Sequence, residues 1–170
     1  MGDTIIIDTR EKDRAIHTIK KQFDEAGVKY ISSKLYVGDY QLLSNGHKVI
    51  DRKQNLSELC SNVCQQHERF RAELLRAQEN NIQLIILCEH GKGIDCLEDV
   101  IFWVNPRSIK RIKGDNGKWI DVKTKATTGQ TLYNILSTLK RKYGVEFEFC
   151  DKKDTGKRIM ELLRNDSRRD

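Results

Sequence analysis

A chain of 170 residues, 38% hydrophobic and 33% charged, is long enough for one domain with a buried core and too apolar to be disordered. It has no apolar run near the ~20 residues of a membrane span, and residues 4–8 are too short and too β-branched for a signal peptide, so a non-membrane, cytoplasmic protein is expected. The net charge of +6 and pI near 9.1 favour a polyanionic partner, and five cysteines, an odd number, fit a reducing compartment better than a disulfide framework.

The isoleucine run at residues 4–8 predicts a buried parallel strand with Asp8 at its carboxyl end, where α/β proteins place their sites. Asp13 can cap a helix with Ile16, Ile19, Phe23 and Ala26 on its apolar face, ended by Gly27. Residues 29–35 form a mixed strand. A hairpin follows: residues 37–43, a turn at Ser44-Asn45-Gly46 with Asn-Gly suited to positive φ, and a return strand over 47–53. Alternation puts Val49, Asp51 and Lys53 on one face of that return strand and Ile50 and Arg52 on the other. Asp39 enters the partner strand, so two carboxylates and an ammonium converge on one end of the sheet.

Such a cluster suits phosphodiester hydrolysis. A hard divalent cation needs carboxylate oxygens, which Asp39 and Asp51 can supply. Lys53 can orient a water or offset charge on the pentavalent phosphate. An acid-x-Lys pair is common in strands, however, and its plain alternative is an exposed ion pair.

Asn55 opens one continuous helix with Leu56, Leu59, Val63, Phe70, Leu74 and Ala77 on its apolar stripe. His67 falls on the same stripe, where a satisfied core histidine is commoner than a ligand. Asn55-Leu56-Ser57-Glu58 has capping-box spacing, which favours Glu58 as a cap over metal ligation. Glu73 faces either the site or solvent. Cys60, Cys64 and His67 lack the second ligand pair of a zinc site.

Residues 82–88 predict a second buried strand, with Glu89-His90-Gly91 at its carboxyl end. Residues 97–104 make a short amphipathic helix stopped by Asn105-Pro106. The stretch 107–125 is the least regular. Seven basic against two acidic residues give it +5 of the chain's +6, with Trp119 as its one large aromatic. A flexible clamp is expected, with Lys110, Arg111 and Lys113 along a phosphate backbone and Trp119 on an unpaired base; a merely solvated loop is the alternative. Residues 131–143 predict a helix, 145–150 a half-covered edge strand and 155–164 a last helix. One domain is expected over residues 1–165, with the irregular basic insertion at about 107–128 and a polar tail at 166–170.

Four motifs carry a family resemblance. Gly38-Asp39, Asp51-Arg52-Lys53, the opening Ile5-Ile6-Ile7-Asp8-Thr9-Arg10-Glu11 and Gln66-His67-Glu68-Arg69-Phe70 together resemble XPF-type endonucleases of the PD-(D/E)xK class. Asp51 replaces the family's Glu, and Ser57 stands where the family has Asp, with Glu58 one residue late. The resemblance leaves out roughly 91–128. It implies a restriction-endonuclease-like α/β fold, a mixed central sheet flanked by helices. It also implies an endonuclease using Mg²⁺ or Mn²⁺ on branched or flapped DNA in recombination, repair or replication. Asp8, Glu11, Asp39 and Asp51 would hold the metal, helped by a peptide carbonyl next to Asp51. Asp8, Asp39, Asp51 and Lys53 would be catalytic, and Arg10 and Arg52 would hold phosphate or buttress the carboxylates. The resemblance further implies pairing of nuclease domains, hence a homodimer through the later helices, and a small stand-alone form like those of phages and prophages, in a bacterial or phage-infected cell. The alternatives are a catalytically silent nucleic-acid-binding module of nuclease-like fold and a protein-interaction scaffold.

Overall fold

The computed structural model describes residues 3–91 and 93–165; the tail expected at 166–170 lies outside them. A six-stranded mixed sheet runs in the order β2-β1-β3-β4-β5-β8, formed by β1 (Thr4–Ile7), β2 (Lys29–Ser32), β3 (Tyr40–Leu42), β4 (Asn45–Lys53), β5 (Gln83–Glu89) and β8 (Glu146–Cys150). The pairs β1–β2, β4–β5 and β5–β8 are parallel, while β3 runs antiparallel to both β1 and β4. All strands but β3 therefore point the same way. The carboxyl ends of β1, β4 and β5 and the start of β3 meet at one end of the sheet.

Strand alternation sorts the core into two layers. Val49, Leu84, Ile86 and Cys88 pack with α2 (Leu56–Cys64), α3 (His67–Glu79) and α4 (Gly129–Tyr143). Ile50, Ile85 and Leu87 pack on the other face with α1 (Asp13–Glu25) and α5 (Thr155–Arg164). The expected mixed sheet flanked by helices is the one observed, and β8 is the edge strand its alternating burial predicts.

Four local expectations are corrected. The helix opened by Asn55 is broken: Gln65 N and Gln66 N both donate to Ser61 O, at 2.9 and 3.1 Å, and α3 restarts at His67. The break takes His67 off the apolar stripe and leaves it exposed. The hairpin turns at Leu43-Ser44, because Leu42 already pairs with Asn45 and Leu43 N donates to Thr4 O at 2.8 Å. Asn45 and Gly46 belong to β4, and neither has positive φ. The short helix expected at 97–104 is a 3-10 segment, Leu97–Phe102, packed on α4. Gly129 permits that contact, since a Cβ there would lie 2.5 Å from Val100 O and 2.6 Å from Trp103 O.

The largest correction concerns the basic insertion. It is an ordered two-stranded antiparallel ribbon, β6 (Ile109–Lys113) and β7 (Trp119–Lys123). Its feet are tied: Asn105 Nδ2 donates to Thr127 O at 2.9 Å and Thr124 N to Ser108 O at 2.9 Å. The turn between the strands uses Gly117 at φ +77.

Candidate active site

The site begins with a glycine. Gly38 has φ +66, and a Cβ on it would lie 2.5 Å from Val49 Cγ1 and 2.9 Å from Ile50 O, so only glycine lets this corner close against β4. Asp39 is thereby fixed: its N–H donates to Ile50 O and its carbonyl accepts from Asp8 N, both at 2.8 Å. Its Oδ2 accepts from Arg52 N at 2.8 Å. Asp51 is buried on the α2–α3 side of β4, and Lys53 Nζ reaches its Oδ1 at 2.9 Å. Glu73 comes in from α3, half-buried, its Oε1 accepting from Gly38 N at 3.1 Å.

Electrostatics separate these acids. Burial raises the Asp39 carboxyl well above the ordinary range, and the charges of Asp51 and Glu11 push the same way. Burial also raises Asp51, with Glu73 adding to it against the pull of Lys53. For Lys53, burial works against the charge, but Asp51 in contact, with Asp39 and Glu73 nearby, outweighs it and raises the pKa. Its contact with Asp51 thus favours the charged form of Lys53, in which it donates a hydrogen bond or offsets negative charge.

Asp8 and Glu11 stand differently. Arg10 donates to Asp8 from Nε at 2.6 Å, from N at 2.8 Å and from Nη2 at 3.2 Å, and Leu35 N adds a bond at 2.6 Å. Burial alone would raise Asp8, but these donors hold its carboxyl below the ordinary range. Glu11 accepts from Arg52 Nε at 2.8 Å and Nη2 at 3.2 Å, and from the Tyr40 hydroxyl at 2.7 Å. Arg52 also bonds Glu89 Oε1 at 3.2 Å, while Glu89 Oε2 is buried without a hydrogen-bond partner among the described residues. Arg52 is itself buried, so of its two expected roles the geometry supplies the buttress and withdraws it from DNA. Arg10 keeps a half-exposed side chain over Asp8.

Among the described residues no group of three His, Cys, Asp or Glu side chains has metal-holding geometry. The pair of half-buried Asp39 and buried Asp51, each carboxyl disfavoured as an anion, does suit a hard cation of the Mg²⁺ type, which keeps several waters and takes one or two carboxylates. Glu58 is used elsewhere: its N–H donates to Asn55 Oδ1 and its Oε2 accepts from Gln54 N, both at 2.8 Å, as a helix cap. Cys60 is buried, Cys64 half-buried and His67 exposed.

Lys110, Arg111, Lys113 and Trp119 lie apart, on the ribbon. Pairing puts Arg111, Lys113, Lys123 and Trp119 on one of its faces and Lys110 on the other. Sequence reasoning left Glu73 undecided and gave no role to Tyr40 or Glu89. Glu73 follows buried Phe70 by three, a helical neighbour spacing, and Glu89 ends a fully buried strand; both signals were readable, but neither names a partner.

A family model described as the ERCC4 domain matches residues 7–162. Among solved structures the chain is similar to XPF from Aeropyrum pernix, with 22% identity, a TM-score of 0.64 and coverage of 98% of this chain and 66% of that one. It is likewise similar to XPF from Aeropyrum pernix in complex with DNA, with 21% identity, a TM-score of 0.62 and coverage of 98% and 69%. The chain thus spans about two thirds of the length of those solved chains, 66% and 69%. No curated protein matches.

Proposed function

Because the chain belongs to the ERCC4 domain family, we propose that it is a divalent-metal-dependent DNA endonuclease acting on branched or flapped DNA in recombination, repair or replication. The observation that carries the reading is the pairing of half-buried Asp39 with buried Asp51, and Lys53 in contact with Asp51, where β3 begins and β4 ends. Asp39 and Asp51 would hold Mg²⁺ or Mn²⁺, which when bound supplies charge for the phosphate and acidifies its water. Lys53 offsets the negative charge that builds on the phosphorus oxygens as a water oxygen attacks. The P–O3′ bond breaks, leaving a 5′-phosphate and a 3′-hydroxyl. Arg10 holds Asp8 just past the end of β1, and Arg52 on β4 holds Glu11, so both carboxylates are engaged by arginines. The ribbon's Arg111, Lys113 and Trp119 supply DNA contacts away from the cleaved bond. The DNA-bound relative supports a nucleic-acid partner for this fold.

The test is a cleavage panel of flap, fork, four-way junction and linear duplex with Mg²⁺, Mn²⁺ or EDTA. Cutting of the branched substrates with metal, lost in Asp39→Ala and Asp51→Ala while DNA binding remains, is the expected result. Binding without any cutting would point to the silent module. Asp variants that cut like the wild type would sink the assignment.

A further inference from the structure

Beside Lys53 a polar groove of about 500 Å³ opens between α2, α3 and the foot of the ribbon. Its walls carry Asn62, Gln66, Arg69 and Arg107. Among the described residues the guanidinium groups of Arg69 and Arg107 meet no carboxylate at ion-pair distance, in contrast to Arg10 and Arg52, which are tied to acids. Glu58 and Glu73, the acids of the groove, are engaged by backbone N–H groups, and Lys53 by Asp51. A neutral N–H donor does not cancel a carboxylate's formal charge, so the groove as a whole is close to balance; what it offers an anion is the pair of exposed arginines at its rim, held by no carboxylate among the described residues. The two-residue break between α2 and α3 brings Gln66 and Arg69 to this wall, and the tied feet of the ribbon hold Arg107 opposite.

We infer that this groove is a subsite for one unpaired nucleotide next to the cleaved phosphate, with Arg69 and Arg107 on its flanking phosphates and Asn62 and Gln66 on its base edge. The inference rests on the nuclease reading for its orientation toward the cleaved bond. The two arginines, free of carboxylates among the described residues, select phosphates, and continuity with Lys53 selects the strand being cut. The volume is that of a small-molecule site, room for a nucleotide and not for a duplex. The amides add hydrogen-bond capacity for a base edge, available only once the base is unpaired. The same end of the sheet would then cut and test for an unpaired base.

Binding without cleavage measures this directly. Fluorescence anisotropy in EDTA compares a forked duplex with a blunt duplex of the same paired sequence, for wild type, Arg69→Ala/Arg107→Ala and Arg69→Lys/Arg107→Lys. Both arginines are exposed, so the fold should survive, which thermal melting checks. The alanine pair should lose about tenfold in fork affinity and about 1.4 in log–log salt slope, ~0.7 per single-strand phosphate contact. Blunt-duplex affinity should hold, and the lysine pair should keep the wild-type slope. Equal losses on fork and blunt duplex, or no loss on the fork, overturn the subsite. A wild type that cuts nothing, yet shows this fork-specific loss, would end the nuclease reading and leave the subsite standing. A wild type that cuts while the alanine pair binds forks normally would do the reverse.

Discussion

Asp39 and Asp51 are two acids crowded at one end of the sheet, and their protonation is coupled to stability. Both folded pKa values lie above the unfolded ones, through burial first and neighbouring charge second. In the metal-free protein the penalty is thus absent below the ordinary carboxylate pKa, grows as pH rises through the elevated folded values, and is full above them. Asp39→Asn removes it and keeps an oxygen for Arg52 N. Melts in EDTA should find the variant more stable than wild type at neutral pH, by about 3 °C per kcal/mol relieved, with the gap closing as the solution is acidified. Asp8, held low, loses its stabilising effect as pH falls, but it is common to both proteins and cancels. Added Mg²⁺ should raise the wild-type melting temperature and not that of Asp39→Asn; equal shifts would show the pair binds no metal. Glu58 gives a second residue-scale prediction. As a cap on Gln54 N it should tolerate Glu58→Gln with most activity kept, while Glu58→Ala costs about 1 kcal/mol. A collapse of activity in Glu58→Gln, matching Asp51→Ala, would make it a ligand. Asp51 and Lys53 were legible because strand alternation has a fixed period. Glu73 was not, because its partner, Gly38 N, is 35 residues away and no local pattern names it.

At the scale of elements, the ribbon was the part least visible in the sequence. Its strands, Ile109-Lys110-Arg111-Ile112 and Trp119-Ile120-Asp121-Val122, show no apolar–polar alternation, and the lysines and glycines around them read as a loop. Pairing, not propensity, makes the strands, and Thr124 and Asn105 close the base. A lone two-stranded hairpin is marginal in water. This one also exposes Ile109, Ile120, Val122 and Trp119, the last at 61%. A basic ribbon with bare apolar faces gains a cover when laid in the major groove of a duplex, which admits such a ribbon. Arg111, Lys113 and Lys123 share the Trp119 face. Replacing these three with Ala should weaken binding to every DNA and flatten the salt slope by up to ~0.9 per lost duplex phosphate contact. Lys110→Ala, on the opposite face, should do far less. A wild-type slope in the triple variant would put the ribbon off the DNA. The broken helix was hidden for a similar reason: its apolar residues recur on both sides of the break, and only Ser61 O, taking two N–H donors, ends α2.

For the whole molecule, the order of strands and helices in the sequence already implied a layered mixed sheet, since helices on both faces need buried strands between them. It left open which apolar faces the layers would use. That bears on assembly, expected through the later two helices. The apolar face of α5 is taken up inside the molecule: Ile159, Met160, Leu162 and Leu163 are buried with α1 and the sheet. α4 buries Leu132 and Leu136 but leaves Ile135 and Leu139 lining a shallow apolar depression of about 330 Å³. The 3-10 segment packed on α4, with the residues just after it, adds Ile101, Phe102 and Val104, the last two 73% and 75% exposed. Val104 and Phe102 are the two most exposed large apolar side chains among the described residues, and exposed apolar surface marks interaction sites. The homodimer we propose therefore pairs through α4 and the 102–104 segment, not through α5. Light scattering should give a dimer that Phe102→Ser/Val104→Ser converts to monomers without lowering the melting temperature of the monomer's own core. Substitution of exposed Lys157 on α5 should leave the dimer intact. A wild type that stays monomeric at high concentration would remove the dimer altogether. A dimer indifferent to Phe102 and Val104 would move the interface to another face.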